Sequence, residues 1–352
     1  MQVQVWQAAL FGLLACLASM PGLGGTVFGN YTLGRPLVAG LIVGLIMGDV
    51  QTGIYLGAAI QVVYIALVTP GGTVSADVRA ISYIGIPLSM VAVHSMGLNP
   101  ASPEGQAMAV TLGSAVGTIG TVLFYGTATV NLVWQHMGWR ALEKGDLRKL
   151  YVVDMGLPWI SHILCSFIPT FIITKVGTSM VDLMKAYLPM DGVAMKTLFT
   201  VGSLLPAVGI AILLKQVATK PVDILVFVFG FTLALLCRRP LPQLHLLPRR
   251  NLMTMRRRSD MAEKKLSKKA LNKSFRNWFY GHLTCFSQEH MQTFGYLCAM
   301  LPLVEELYDT KEEQTEALKT YSAFFNTEPQ LGTVIVGMTA GLEEAKANGE
   351  DI

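Results

Sequence analysis

Charge is scarce in this sequence. Only 14% of its 352 residues are Asp, Glu, Lys or Arg, against about 25% in ordinary soluble domains. With 52% apolar residues and 34 Gly, and a mean hydropathy of +0.48, that scarcity argues against a cytosolic enzyme and for a membrane protein. Cysteine is equally sparse. Cys16, Cys165, Cys237, Cys285 and Cys298 stand without C-x-x-C or Cys/His spacing, which leaves no zinc site and no disulfide framework to propose. They read as small core hydrophobes, and no metal or cofactor is expected. No Lys or Arg precedes Arg35, so the N-terminal apolar run lacks the basic n-region of a signal peptide. It reads as a retained membrane helix with Pro21-Gly22-Leu23-Gly24-Gly25 as its stop.

The few charges are unevenly spread. Residues 1–237 hold 11 Lys/Arg against 9 Asp/Glu, residues 238–276 hold 13 against 2, and residues 277–352 hold 3 against 12. The balances of +2, +11 and −9 mark three regions of different physical character. We divide the chain into a membrane domain over 1–237, a basic linker over 238–265 and a C-terminal domain over 266–352.

Within the first region, the apolar run Ala107–Trp134 has 28 residues, more than the roughly 20 a helix needs to cross about 30 Å of hydrocarbon. Leu37–Met47 is too short to cross alone. It is followed by Gly48-Asp49-Val50-Gln51-Thr52-Gly53 and a second apolar stretch. Two short apolar pieces joined by a polar turn suit a re-entrant hairpin, because irregular backbone at membrane depth survives only against protein or water, and broken helices of this kind line transport sites. The competing reading is two ordinary helices with a polar loop at the surface. The expected fold is an all-α integral membrane protein, a multi-span helical bundle with a re-entrant hairpin. Residues 135–155 turn amphipathic and suit a surface helix or loop. The positive-inside rule puts both 135–150 and 238–276 on the cytoplasmic side, yet three apolar runs lie between them. Either residues 175–197 dip into the membrane or one run does not cross.

Acids and amides on apolar segments are expensive, and function or ion pairing is the usual reason for them. Gln61, Asp77 and Asp49 qualify. Each has a structural alternative. Asp49 suits a turn closed through its side chain, and Asp77 has Arg79 two residues on as a local ion-pair partner. His94 and His162 suit hydrogen-bonded interior or interfacial positions. Ser102-Pro103-Glu104 has the chemistry of a helix start, with an N-cap Ser, Pro at N1 and an acid in the first turn.

Particular runs carry a family resemblance. Arg35-Pro36-Leu37, Gly48-Asp49-Val50-Gln51-Thr52-Gly53-Ile54, Gly57-Ala58-Ala59-Ile60-Gln61, Gly71-Gly72 to Ala76-Asp77, and Gly202-Ser203-Leu204-Leu205-Pro206 resemble the IIC component of the mannose/fructose/sorbose class of the bacterial phosphotransferase system. The resemblance covers about residues 1–236. Phe286-Ser287-Gln288-Glu289-His290-Met291-Gln292, Met300-Leu301-Pro302 and Phe324-Phe325-Asn326-Thr327-Glu328-Pro329 resemble the start of the IID component of that class, over about residues 266–352. The C-terminal domain is then a helical, truncated IID-like fragment, in which Gln288, His290 and Gln292 are expected on a helix, in surface or partner contact.

The resemblance implies a multi-pass permease of the bacterial plasma (inner) membrane that translocates a hexose or amino-hexose of the mannose/fructose/sorbose/N-acetylgalactosamine class. Its partners would be full-length IID and soluble IIA and IIB components, with phosphorylation of the sugar by IIB, oligomeric assembly and a lipid environment. Gln61 and Asp77 match the family's sugar-contact positions, and Asp49 completes the candidate substrate-binding set. Members associated with mannose carry Glu where this chain has Gln61, which sets it apart from them. No catalytic residue is expected in the chain itself. Two other functions compete: an incomplete fusion that binds partner IIC and IID subunits without transporting, and an ion-driven secondary transporter. The latter would need more paired acids within the spans than the first region offers.

The linker is unusual in what it omits. Residues 238–258 hold seven Arg but no Lys, acid or Gly, and no aromatic residue is interleaved, so nucleic acid is not an expected partner. A polybasic anchor on acidic lipid is one reading. Family members continue past Val228-Phe229-Gly230-Phe231-Thr232-Leu233-Ala234 with a further apolar helix, which is missing here, and Met261-Ala262-Glu263-Lys264-Lys265 suits the natural start of a IID chain. A frame change near residue 236 that joined two adjacent reading frames accounts for both. On that reading no selected contacts hold residues 238–260. Limited trypsinolysis of the membrane-bound chain should therefore cut first between Arg238 and Arg258, faster in high salt, which shortens the screening length from about 10 Å at 0.1 M to 3 Å at 1 M. A linker that resists trypsin in high salt is packed, and the frame-change reading then fails.

Overall fold

The computed structural model describes residues 1–19, 28–67, 74–187, 192–217, 224–225, 227–232, 265–328 and 331–350. The basic run 238–260, the expected stop at Pro21–Gly25, Gly71-Gly72 and Cys237 lie outside the described residues. Helices dominate, and no strand forms among the described residues. In hydrocarbon, a helix satisfies its own backbone polar groups, which is why apolar runs of this length take that form. In order these are α1 (Val5–Ser19), α2 (Pro36–Met47), α3 (Val50–Val63), α4 (Val78–Met96), α5 (Pro103–Glu143), the broken helix α6 from Leu147 to Tyr187, and α7 (Val193–Val217). The C-terminal part adds α8 (Lys268–Gly281), α9 (Thr293–Leu307), α10 (Lys311–Thr320) and α11 (Gly332–Ala347).

Val78–Met96, Pro103–Glu143 and Leu147–Gly177 are long and apolar enough to cross a membrane. Helix α5 starts as its sequence predicts: the Ser102 hydroxyl accepts the N–H of Gly105 at 3.2 Å, with Pro103 next and Glu104 in the first turn. Its 41 residues extend about 60 Å at 1.5 Å per residue, roughly twice the hydrocarbon thickness. The far end of α5 carries the C-terminal part. The amphipathic stretch 135–155 is therefore only half at the surface. Its charged residues Arg140, Lys144, Arg148 and Lys149 face out, while Leu142, Leu147 and Leu150 are buried in one core with Leu297, Leu301 and Val304 of α9. The covering helix is distant in sequence, so the local pattern alone could not show it.

The hairpin expected from Leu37–Met47 and the apolar stretch after its polar turn is formed by α2 and α3. Arg35 is extended and Pro36 opens α2, Gly48 closes it in the left-handed region at φ 80°, and the Asp49 carboxylate caps α3 by accepting the Thr52 N–H at 3.1 Å. At 12 and 14 residues neither helix reaches across about 30 Å. The two pack backbone to backbone through Gly40, Gly44, Gly53 and Gly57. A Cβ on Gly53 would meet the carbonyl oxygen of Gly40 and stand 2.7 Å from the Gly44 Cα. Two Gly-x-x-x-Gly pairs thus bring the helices close enough for main-chain contact, the device that membrane helices use where no hydrophobic effect drives their association.

Gly53→Leu should force the hairpin open, because the obstacle is backbone that cannot yield. The expected cost lies at or above the top of the about 1–3 kcal/mol range for overpacking, read as a lowered unfolding temperature of the detergent-solubilised chain. Gly337→Ala, where the added Cβ meets nothing within 4 Å, is the control and should leave that temperature unchanged.

Candidate functional site

A cavity of about 710 Å³ lies where the first part of the chain meets the C-terminal part, within the about 300–1,000 Å³ usual for ligand sites. Its walls come from segments that break helical regularity. Asn30 and Tyr31 sit on the π-helical turn Gly29–Leu33, Asp77 and Arg79 immediately precede the π-turn Ile81–Gly85, and Cys165 and Ser166 lie on the π-turn Ile163–Phe167. Such turns are rare and cluster at functional sites. The turn at 81–85 also holds the opposite wall: Ser82 donates to the Gly34 carbonyl at 3.0 Å and Tyr83 to the Leu33 carbonyl at 2.8 Å. Those two bonds fix the loop that presents Arg35 to the cavity.

Asp77 and Arg79 form the polar centre. Arg79 Nε donates to Asp77 Oδ1 at 2.9 Å, Nη2 donates to Oδ2 at 3.2 Å, and the Arg79 N–H reaches Oδ1 at 3.0 Å. The guanidinium lies over the Phe124 ring at 5.2 Å. A fork-on-carboxylate pair of this kind is geometrically rigid, and only 14% and 10% of its side chains is exposed. Arg35 and Glu328 add one charge of each sign. The site thus sets a few balanced charges in a mainly apolar lining that includes Ile65, Leu67 and Leu123 and the aromatic rings of Tyr31, Phe124 and Phe286. It suits a neutral ligand with many hydroxyls better than an anion or a cation.

Asn131 connects the cavity to the seam between the two parts. Its Nδ2 donates to the carbonyls of Phe286 at 2.9 Å and Thr284 at 3.3 Å, while its Oδ1 is buried without a partner. One turn further along α5, Gln135 donates to the Cys285 carbonyl and accepts from the Ser287 hydroxyl at 2.6 Å. His162 reaches the same turn, its Nε2 donating to the Thr284 carbonyl at 3.4 Å. Beyond them Trp139 packs edge-on against Phe294 with ring centres 5.0 Å apart. Residues 284–287 are therefore gripped by three side chains of the membrane domain.

Of the three residues singled out from sequence, Asp77 lines the cavity and Gln61 and Asp49 do not. Asp77 also makes the ion pair with Arg79 that its sequence offered as the structural alternative. Gln61 lies on α3, and its Oε1 is buried without a partner. Asp49 sits at the hairpin tip, bonded to Thr52 and 2.8 Å from His94 Nε2. Gln288, His290 and Gln292 differ from expectation: they lie in a turn that precedes α9 rather than on a helix. The reason is a pairing with the Phe-Phe-Asn-Thr run. The Gln292 N–H bonds the Phe325 carbonyl at 3.1 Å, and its side chain bonds the Thr327 carbonyl at 2.9 Å and N–H at 3.3 Å. Phe325 stacks on Tyr296 with centroids 4.0 Å apart. This clamp brings Gln292, Thr327 and Glu328 to the cavity wall. Asn131 and Gln135 were missed from sequence, although two amides one turn apart at the end of an apolar run are the signal that finds them.

Comparison with known proteins bears on both parts. Residues 5–248 match the family model described as "PTS system sorbose-specific iic component", and residues 265–352 match that of the "PTS system mannose/fructose/sorbose family IID component". Over 216 residues the chain is 26% identical to the mannose-specific EIIC component of Escherichia coli (strain K12), covering 61% of this chain and 75% of that protein. Over 92 residues it is 37% identical to the fructose permease IID component of Bacillus subtilis (strain 168), covering 26% of this chain and 32% of that protein. A solved structure titled "Structure of membrane protein" aligns with a TM-score of 0.52 at 21% identity, over 66% of this chain and 88% of the other. That likeness speaks to the fold alone.

Proposed function

The chain belongs to the sorbose-type IIC family of the phosphotransferase system, and from that membership we propose that its seam cavity binds the sugar that the permease carries. It is a multi-pass membrane protein that joins IIC-type and IID-type permease segments in one polypeptide. The observation that carries the proposal is the cavity itself, which combines the Asp77–Arg79 pair, an unpartnered Asn131 oxygen and the Gln292–Thr327 clamp. A monosaccharide presents hydroxyls that each donate and accept, so a wall with donors (Arg35, Arg79) and acceptors (Asp77, Asn131 Oδ1) can satisfy it after it leaves water.

The substrate class we assign is a hexose or amino-hexose of the mannose/fructose/sorbose/N-acetylgalactosamine group. In this reading Asp77 and Asn131 hold the sugar, and Gln61 and Asp49 line the hairpin side of its route. The orphaned Gln61 Oε1 supports that assignment, because a buried acceptor without a partner invites a hydroxyl. Phosphoryl transfer is assigned to a separate IIB component, with IIA and full-length IID as further partners, oligomeric assembly, and the bacterial plasma membrane as the location.

The test is uptake by the chain together with its partner components. Asn131→Ala removes one neutral hydrogen bond to the sugar, worth about 1 kcal/mol, along with its two bonds to the Thr284 and Phe286 carbonyls, so sugar affinity should fall at least about 5-fold. Asp77→Asn removes a charged partner worth about 1.5–3 kcal/mol and should lower affinity by about tenfold or more. Gln61→Ala should slow uptake with a smaller loss of affinity. If the Asp77 and Asn131 variants both keep wild-type uptake and affinity, the cavity is not the sugar site. Uptake that persists without the phosphotransferase carrier components contradicts the permease assignment itself.

A further inference from the structure

Helix α8 packs one side into the protein and ties Lys273 beside it to a neighbouring helix, and its remaining side is open. Ala270, Ser274, Asn277, Trp278 and Gly281 face inward, and the Asn277 amide donates to the Cys298 carbonyl at 2.8 Å. The Ser267 hydroxyl caps the helix by accepting the Ala270 N–H at 3.1 Å. Leu271, Phe275 and Phe279 are four residues apart and so form one row along the helix. Leu271 and Phe275 are 42% and 46% exposed, and the rings of Phe275 and Phe279 stack 5.7 Å apart. Beside that row runs a second, Lys268, Asn272 and Arg276, with Lys269 next to it, all exposed.

The charges on this side are of one sign. Residues 265–281 hold five Lys/Arg and no acid. Lys273 is already engaged, 3.5 Å from Glu305 and over the Tyr151 ring at 4.8 Å, and Glu306 accepts from the Ser267 N–H and hydroxyl. Among the described residues no acid pairs with Lys268, Lys269 or Arg276. Water would leave the apolar row exposed, and hydrocarbon would strand the cations. At 14 residues the helix is also too short to cross. An apolar row beside a cationic row on a helix of this length is the pattern that lies in a membrane interface, with rings at the acyl boundary and cations among headgroups.

We propose that the outer side of α8 is a docking surface for anionic phospholipid, with Lys268, Lys269 and Arg276 on the headgroups and Leu271 and Phe275 in the adjoining acyl layer. It anchors the IID-type segment to the bilayer independently of the basic linker, and the assignment is separate from the sugar site. Positive charge near an anionic leaflet is attracted over about a Debye length, so the contact depends on lipid charge and on salt.

The experiment uses the full chain with Leu271→Cys carrying an environment-sensitive fluorophore, and with Cys165→Ser and Cys237→Ser to make labelling specific. It is placed in nanodiscs of phosphatidylcholine alone or with about one-third phosphatidylglycerol. Brominated acyl chains should quench the label at least about twofold more in the anionic discs, and 1 M salt should remove the difference. The pair Lys268→Glu and Arg276→Glu, and the milder pair Lys268→Gln and Arg276→Gln, should lower the quenching in that order without changing the unfolding temperature. Equal quenching in both lipids, unaffected by the charge changes, means plain hydrocarbon contact and overturns the proposal. A label that acrylamide quenches from water in both discs, or one shielded from bromolipid and acrylamide alike by a covering protein, overturns it too.

Discussion

Inside a bilayer no water completes the hydrogen bonds that a protein leaves open, and this constraint organises the chain. Many of its side-chain hydroxyls bond back to a carbonyl one turn earlier in their own helix, and a smaller set of amides and hydroxyls reaches carbonyls far away in sequence. Gln7 donates to the Ile46 carbonyl at 2.9 Å at the end of α2, Ser82 and Tyr83 reach Gly34 and Leu33, and Asn131 and Gln135 reach the turn at 284–286. Each bond joins segments far apart in sequence. At these places a side chain distant in sequence supplies a bond that low-dielectric burial makes valuable. The cavity exists because several such segments meet in one place.

Against that background, the buried oxygens without partners stand out. Asn131 Oδ1 and Gln61 Oε1 each leave a lone-pair site unsatisfied, as do the Tyr151 hydroxyl and both Asp154 oxygens away from the cavity, and buried polar groups of native proteins are otherwise hydrogen-bonded in the great majority. The first two sit on the helical elements that frame the route we assign to the sugar, α5 and the hairpin. The cost of leaving an acceptor unpaired, about 1–3 kcal/mol, is recovered when a hydroxyl arrives. A site prepared in this way favours a ligand with donors over bare hydrocarbon.

Much of this was legible locally. The hairpin followed from the shortness of Leu37–Met47 and the polar turn after it, and the Ser102 cap from three consecutive residues. The pairs Asp49–Thr52 and Asp77–Arg79 lie within three residues of each other and were readable as alternatives to substrate binding. What escaped depends on contacts far apart in sequence. Residues 288–292 resemble the entry to α9, but the Phe325 and Thr327 backbone pulls them into a turn through Gln292. The leucines of 142–150 look like one side of a surface helix until α9 covers them. The closeness of α2 to α3 was written in Gly40, Gly44, Gly53 and Gly57, but only as a spacing whose partner helix had to be known. Gln61 and Asp49 show the converse: their types suit sugar chemistry, and neither reaches the cavity.

The union of two permease segments in one chain has an energetic consequence at the seam. Held by a few bonds from Asn131, Gln135 and His162 to the turn at 284–287, each worth about 0.5–1.5 kcal/mol net, the polar part of that contact is modest. Most of the remaining attraction is apolar, from α9 against Leu142, Leu147 and Leu150. When the two segments share a polypeptide, their association is intramolecular. Because the cavity draws its walls from both segments, its integrity depends on their contact. The seam, more than either segment alone, is therefore where changes in sequence should be felt first at the site.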